Sequence, residues 1–564
     1  MPNIPAAIIQ QLQTATRMMQ AGMFVQARPL LEQILCADPD LVQARWLLGG
    51  ALLNCGDFTG AERAALAAIH LNPDTAALHA LLGDALASQN RMQQAESALR
   101  HALVLDPRHV PAITSLAKVL LASGRAEDAR SVIEECTSSV KATPELLLLR
   151  AQALLAGSKF SEAVSAYQQA IDAAPGNASA EIGLAVALGD SGQHVAAEAA
   201  VRGAMAKGLD TPESHFVLAR SLLRMDRFDE AEAEFHRALH LRPDYFAAHT
   251  NLAEMIWMRT GNAEAASLEL DATLHANPDL KTLRTLKAKL LEAAGDPQGA
   301  LAELDAGLAL SGDSAELHIA AAQTALKCDA SRALKHAEHA LKLLPETPLT
   351  LSTYGNALLA SGRAEHAEAL AAKILAVNPD DGLAIALQAT AWRMLGDPRY
   401  RRLYDYEKFV RPGVIDTPEG WPNLPSYLDD LARELRQRHS LHTHPIGQSL
   451  RHGTQVDLVM ERSQPAIRAF AQAIDGPIRR YMDAIGKGRD VLRRRNTGRY
   501  TLQGIWSVRL RSSGYHFNHF HPEGWLSSAC YIQLPPAIGA NGKEGWLQFG
   551  GPGFPTPPPL PPEH

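Results

Sequence analysis

Small residues return along the first 396 positions with a period too long for any single helix or strand. Alanine recurs at Ala27, Ala61, Ala95, Ala129, Ala163, Ala197, Ala231, Ala266, Ala300, Ala333 and Ala367, at spacings of 33 to 35 with a mean of 34. Twelve positions earlier stands a second small residue in ten of the eleven cases: Ala15, Gly49, Gly83, Ala117, Ala151, Ala185, Ala219, Ala288, Ala321 and Gly355. Glu254 is the exception. Twelve positions later stands proline in eight cases: Pro39, Pro73, Pro107, Pro175, Pro243, Pro278, Pro345 and Pro379. One small residue on each of two helices lets them cross closely. Proline, which lacks an N–H and disfavours helix in the residue before it, ends the second helix. Segments such as SGR (361–363) and AGD (294–296) supply the turn between the two helices. A lone hairpin cannot bury its apolar face, so hairpins stack. The spacing predicts eleven hairpins over about residues 8–395 and a closing helix at 383–396.

The pattern changes after residue 396. The stretch 398–413 (PRYRRLYDYEKFVRPG) is aromatic and basic, and proline-rich sequence follows through 421–425. Residues 424–439 place Leu428, Leu431 and Leu435 at helical spacing, which predicts an amphipathic helix. Residues 464–485 read as one or two helices, with Gly476-Pro477 as a break or kink. Short aromatic and β-branched runs at 504–512, 514–521, 525–535 and 545–551, split by Gly and Pro, read as strands. The expected division is a helical solenoid over 1–396 and an α+β domain over 397–564.

Composition sharpens that boundary. The chain has 564 residues and a net charge of −7. Residues 397–564 carry 22 Lys+Arg against 16 Asp+Glu, whereas residues 1–396 carry 32 against 45. Of 31 aromatics, 18 lie after residue 396, as do 18 of the 34 prolines. Arg493, Arg494 and Arg495 are the only dense basic cluster there, and they read as a solvated face rather than a nucleic-acid surface. Cys36, Cys55, Cys136, Cys328 and Cys530 are far apart, which excludes a disulfide scaffold and a thiolate zinc site. No apolar run has the ~18 residues a membrane span needs, and the start lacks the charged and apolar regions of a signal peptide. A cytoplasmic protein is expected. There is no GxxxxGK[ST], GxSxG or HExxH.

The 34-residue period, paired small positions and terminal proline resemble the tetratricopeptide repeat. The resemblance implies a superhelical solenoid whose concave groove, lined mainly by first helices, holds a protein or peptide. The residue two before each small first-helix position is expected to help line it: Gln13, Leu47, Leu81, Ser115, Leu149, Gly183, Val217, Leu252, Leu286, Ile319 and Thr353. These include no asparagine ladder and no basic clamp. The acidic balance favours a basic or neutral partner through long-range attraction.

The run GYHFNHFHPEGW places His516, His519 and His521 in six residues. On a strand, i and i+2 share a face, so His519 and His521 can reach one metal ion while His516 faces away. Neutral imidazole suits divalent iron, copper, nickel or zinc. A packed or surface histidine pair is the competing reading. His521 with Glu523 is a second pairing, which Pro522 disfavours. Asn518, Arg509 and Arg511 read as solvated, as do His439, His442 and His444.

The stretches 403–410, 444–455, 504–535 and GWLQFGGP resemble iron(II)- and 2-oxoglutarate-dependent oxygenases, specifically the domain found behind tetratricopeptide arrays in bacterial proteins. That resemblance implies a partial double-stranded β-helix, with Fe(II) and 2-oxoglutarate as cofactors. It makes His519 the first metal ligand and places His521 where the superfamily usually has a carboxylate. It matches Tyr531 to a 2-oxoglutarate contact, against the alternative of a half-buried sheet tyrosine. Gln448, Ser449 and Arg451 fall in the family motif without a derivable role. The superfamily's distal His and trailing Arg have no counterpart: after 551 the chain reads PGFPTPPPLPPEH, with His564 a poor third ligand. The domain is therefore expected to be incomplete at its C-terminus, as a fragment of a longer reading frame rather than a decayed domain. Two functions follow: a scaffold coupled to a hydroxylase acting on the bound protein or peptide, or a non-catalytic interaction scaffold. No nucleic-acid or membrane partner is expected.

Overall fold

A computed structural model describes residues 5–137, 142–458, 464–535, 538 and 542–563. The chain divides into two compact units, Met1–Arg227 and Phe228–His564.

The first unit is all-helical, from Ala6–Gln20 to Pro212–Arg224. Its helices run as antiparallel pairs such as Val42–Asn54 with Phe58–Leu71 and Ala76–Ser88 with Met92–Leu105. The same pairs continue in the second unit from Phe228–Leu241, and the helix Gly382–Leu395 closes the array. All eleven second-helix alanines are at most 3% exposed, as close helix crossing requires. On the first helices, Gly49, Gly83 and Gly355 are equally enclosed. A Cβ on Gly83 would collide with the buried Leu99 side chain. Each of the eight prolines sits two residues beyond the last helical residue, as Pro39 does after Ala37 and Pro73 after Leu71. The turn inside a hairpin takes left-handed backbone at Gly56 (φ 80°), and Asn90 (φ 60°) fills the same place one repeat later.

The exception at Glu254 has a simple origin. The spacing from Ala231 to Ala266 is one residue longer than the mean, and the first helix of that hairpin is extended to Phe246–Thr260. The enclosed small residue is Ala253, 34 positions after Ala219 and 2% exposed. Glu254 falls one step further round the helix.

The expected groove positions require correction. Leu47, Leu81, Leu149, Val217, Leu252, Leu286, Ile319 and Thr353 are buried, whereas Ser115 and Gly183 are half-buried and Gln13 is exposed. Two residues are about 200° of helix, so at those eight places the position two before a crossing residue faces the next hairpin instead of solvent. The position one after it stays accessible, at Asp84, Lys118, Gln152 and Val186.

In the second unit, the predicted amphipathic helix forms as Leu424–Arg438 and buries Tyr427 and Leu431 against Ala466, Ile467 and Ala473. Those partners lie on Pro465–Ile485, a single helix despite Pro477. Proline cannot donate to the Ala473 carbonyl four residues back. The Asp416 backbone N–H takes that carbonyl instead, at 2.8 Å. Two strands, β1 (Leu450–Asp457) and β2 (Trp506–His516), pair antiparallel. Arg451 pairs with Tyr515 and Gly453 with Leu510, so His452 alone opposes four residues of β2. This bulge holds His452 (φ 54°) and Ser513 (φ 61°) in left-handed backbone. Cβ atoms on Gly453 and Gly514 would fall 2.7 and 2.5 Å from the opposite strand's carbonyl oxygens.

The expected strands at 525–535 and 545–551 do not form among the described residues, apart from one bridge between Phe549 and Glu563. The sheet is two-stranded, and no double-stranded β-helix is present in the described residues. The physical reason lies in burial. Ser527 to Tyr531 are all exposed, so the segment has no alternating buried face to pack as a strand. Among the described residues no helix is long and apolar enough to cross a membrane.

Two glycines test the packing rule. Gly83→Ala is expected to destabilise the array by about 1–3 kcal/mol through overpacking on Leu99. Gly203→Ala, whose Cβ meets nothing within 4 Å, is expected to stabilise by up to about 1 kcal/mol through helix propensity. Thermal denaturation followed by circular dichroism checks both, and equal shifts of the same sign would defeat the crossing argument.

Candidate metal centre and the segment docked on the repeats

Strand β2 stops at His516, and this decides the geometry of the histidine run. The alternation that should turn His516 away from His519 and His521 no longer applies once the strand has ended. His516 and His519 rings lie 5.7 Å apart, and His519 and His521 rings 5.1 Å apart. His516 and His521 each neighbour His519, which corrects the expectation that His516 faces away from it. His516 Nδ1 lies 2.9 Å from the Ser449 hydroxyl, and His521 stacks on Trp506 at 5.6 Å. His519 Nδ1 lies 2.9 Å from the Phe517 carbonyl. A carbonyl only accepts, so Nδ1 carries the proton and Nε2 presents the lone pair. Partial desolvation, then the neighbouring His519, pushes His516 and His521 below the ordinary imidazole range. Both are neutral donors at pH 7.

The other expected participants go elsewhere. Tyr531 is half exposed, and its hydroxyl donates to the Gly545 carbonyl at 2.7 Å. Asn518 donates to the Pro552 carbonyl and ties the proline-rich tail to the end of β2. Glu523 is exposed. His564 lies outside the described residues. Arg494 pairs with Asp380 at 2.8 Å and Arg493 with Asp490 at 2.5 Å, so two of the clustered arginines have intramolecular partners.

Two histidines read as solvated are buried. His439 Nδ1 meets the Thr454 hydroxyl at 2.8 Å and Nε2 meets the Ser507 hydroxyl at 2.9 Å, joining the helix Leu424–Arg438 to both strands. Burial, with Arg509 nearby, holds His439 down at about 4. His444 is also held at about 4, by burial and then by Arg451 and His452.

His444 belongs to a segment laid across a repeat. His442 and Thr443 backbone N–H groups donate to the Met258 carbonyl at 2.7 and 3.0 Å. The Trp257 indole donates to the His444 carbonyl at 2.8 Å, and the Ile446 N–H donates to Glu254 Oε1 at 3.2 Å. Ile446 packs on Trp257 and Leu290. Further along, Phe554 packs into the cluster of the last repeats. Glu563 accepts from the Tyr400 and Tyr406 hydroxyls at 2.5 and 2.7 Å and pairs with Arg401 at 2.6 Å. Burial opposes ionisation there, but these partners hold the Glu563 carboxyl below its usual range.

Tetratricopeptide-repeat profiles match residues 18–85, 86–153, 154–220, 216–281 and 348–373, together just over half of the chain. The chain belongs to the tetratricopeptide repeat family. A further family, described as "Putative 2OG-Fe(II) oxygenase", matches residues 504–559 of this repeat protein. Solved structures similar to it include a thermophilic tetratricopeptide repeat protein of Thermus thermophilus, at 21% identity and a TM-score of 0.30, covering 32% of this chain and 98% of that one. Another is a tetratricopeptide repeat protein from Parabacteroides merdae, at 13% identity and a TM-score of 0.36, covering 48% of this chain and 100% of that one. No curated protein matches the chain.

The oxygenase family implies Fe(II) and 2-oxoglutarate, and the residues can be tested against that. The end of β2 offers neutral imidazoles, the right donor type for iron. It offers no carboxylate ligand, and among the described residues no group of three His, Cys, Asp or Glu side chains converges on a metal position. A facial triad needs three such ligands. The donor set in the described residues of this repeat protein does not complete an iron centre, and no chemical step is derived through one.

The buried histidines of this repeat protein give a pH prediction. Their folded pKa values lie below the ordinary 6.5, so the unfolded chain takes up protons first as pH falls. Stability is full above about 6.5 and is lost toward 4, at up to about 1.4 kcal/mol per pH unit for each histidine. Amide exchange of β1, corrected for intrinsic rate, should report easier opening across that window. His439→Gln should flatten the dependence; a flat wild-type profile would refute the assignment.

Proposed function

We propose that this chain is a protein- or peptide-binding repeat scaffold over residues 1–396, coupled to an oxygenase-type domain over 397–564 that hydroxylates the bound protein or peptide. The observation that carries the reading is the placement of the oxygenase-matching segment on the repeats of its own unit. The Pro522 carbonyl abuts Gly382, and Phe554 enters the core of the last hairpins. A chain held along the first helices of that unit would thus meet the domain that acts on it within one compact unit. In this reading Fe(II) and 2-oxoglutarate are the cofactors, His519 and His521 are metal ligands, and Tyr531 contacts the keto acid. The accessible first-helix residues, Asp84, Lys118 and Gln152 among them, read the partner. A cytoplasmic location is part of the proposal.

A specific observation favours the non-catalytic alternative, in which the C-terminal domain only caps and steadies the repeats. The Tyr531 hydroxyl is committed to Gly545, and the imidazoles have no third partner ligand among the described residues.

Two measurements separate these. The 564-residue chain is incubated with Fe(II), 2-oxoglutarate and oxygen, and succinate is followed. The catalytic reading expects turnover that falls to background in His519→Ala and His521→Ala; turnover that persists in both would sink the ligand assignment, and no turnover leaves the scaffold alone. Peptide-array binding to the same chain should weaken about tenfold with Asp84→Arg combined with Lys118→Glu, the scale expected from losing charged hydrogen bonds. Unchanged binding would remove the groove assignment.

A further inference from the structure

The docked segment and the strand bulge border an open pocket of about 260 Å³ within the unit Phe228–His564. Its polar walls come from four places in the chain. Trp257 is contributed by the repeats, His442 and Thr443 by the docked segment, His452 by β1, and Arg511 and Ser512 by β2. No carboxylate lines it. The volume lies just under the range that takes a drug-sized molecule, and suits an inorganic ion or a small organic acid.

Trp257 and Thr443 already meet His444, through its carbonyl at 2.8 Å and its Nδ1 at 3.1 Å, whereas the other polar side chains lining it are solvent-exposed and have no protein partner of this kind among the described residues. Among the described residues, the Arg511 guanidinium, the His442 and His452 rings and the Ser512 hydroxyl make no hydrogen bond or ion pair with the protein. This sets Arg511 apart from Arg493 and Arg494, which have carboxylate partners. A guanidinium presents five N–H donors in a planar fork that matches carboxylate or phosphate oxygens. Imidazole N–H and hydroxyl groups beside it extend the same donor set.

The backbone is shaped to hold these groups together. His452 sits in left-handed backbone at φ 54°, a conformation uncommon for residues other than glycine. The four-residue excursion of β2 opposite it carries Arg511 and Ser512. The facing wall is fixed by the paired N–H donations of His442 and Thr443 to Met258 and by the Trp257–His444 hydrogen bond. The donors are therefore carried on three elements whose backbones are anchored.

We propose that this pocket is a binding site for a small oxyanion, a carboxylate or phosphate group seated on Arg511 and completed by His442, His452, Thr443 and Ser512. The site is separate from the His516, His519 and His521 cluster and stands whether or not that cluster binds iron.

Calorimetric titration of the full chain with inorganic phosphate, and separately with malonate, tests the proposal and distinguishes the two oxyanion sources. One saturable site per chain is expected for at least one of them. Arg511→Gln should weaken it by about tenfold or more, the scale of a lost charged hydrogen bond. His452→Asn, which tolerates left-handed backbone, should weaken it by about threefold, the scale of a neutral hydrogen bond. Arg499→Gln, at an exposed arginine outside the pocket, should leave it unchanged. Thermal midpoints of the three variants are compared with the parent to show that each is folded. Absence of saturable binding to both anions, binding indifferent to Arg511→Gln, or an equal loss with Arg499→Gln would each overturn the site.

Discussion

The structure depends on how closely two helices can approach where one small residue meets another. Each second-helix alanine is enclosed, and glycine or alanine stands opposite on the first helix. A methyl added at Gly83 would already strike Leu99. Interiors are packed so tightly that such a contact cannot be absorbed freely. This explains why the repeat tolerates so many different residues elsewhere while holding its 34-residue spacing. It also explains the single deviation. One extra residue between Ala231 and Ala266 moves Glu254 off the crossing and onto the accessible face, while Ala253 keeps the enclosed place.

That displaced glutamate has a use. Glu254 accepts the Ile446 N–H, and the adjacent Trp257 and Met258 hold the backbone of residues 442–444. Main-chain groups do most of the pairing, with Ile446 adding apolar contact. This is the chemistry by which a helical repeat can hold an extended chain with little dependence on its sequence.

The repeats were legible because their signal is redundant. Period, small pairs and proline each point to the same hairpin, and each survives local exceptions. The groove was misread because a two-residue step was assigned to the open side, although it turns the side chain about 200° into the next hairpin. The helix 424–439 was legible from its leucines. The behaviour of Pro477 was not, because the Ala473 carbonyl is rescued by Asp416, more than fifty residues earlier. The strands at 525–535 and 545–551 failed for a related reason. Aromatic and β-branched residues show compatibility with a pleated surface, but not whether a neighbouring strand exists to pair with. His439 and His444 carried no local mark of burial, since their partners come from β1, β2 and the repeats.

The histidine run shows how far a motif can be carried by spacing alone. The i, i+2 argument for His519 and His521 assumed a strand, and the chain leaves the strand at His516. The two rings still meet, but through a turn that also brings in His516. Proximity of neutral imidazoles satisfies one requirement of a metal site. Charge balance and a third converging ligand are separate requirements, and an HxH pair supplies neither. The oxygenase-family match and the described donor set therefore constrain function at different levels. The match speaks to a similarity of residues 504–559 to that family, whereas the donors decide whether iron is held. In the proposed reading, chemistry at this end of the molecule would need further groups to join His519 and His521, while binding by the repeats would use surfaces the described helices already present.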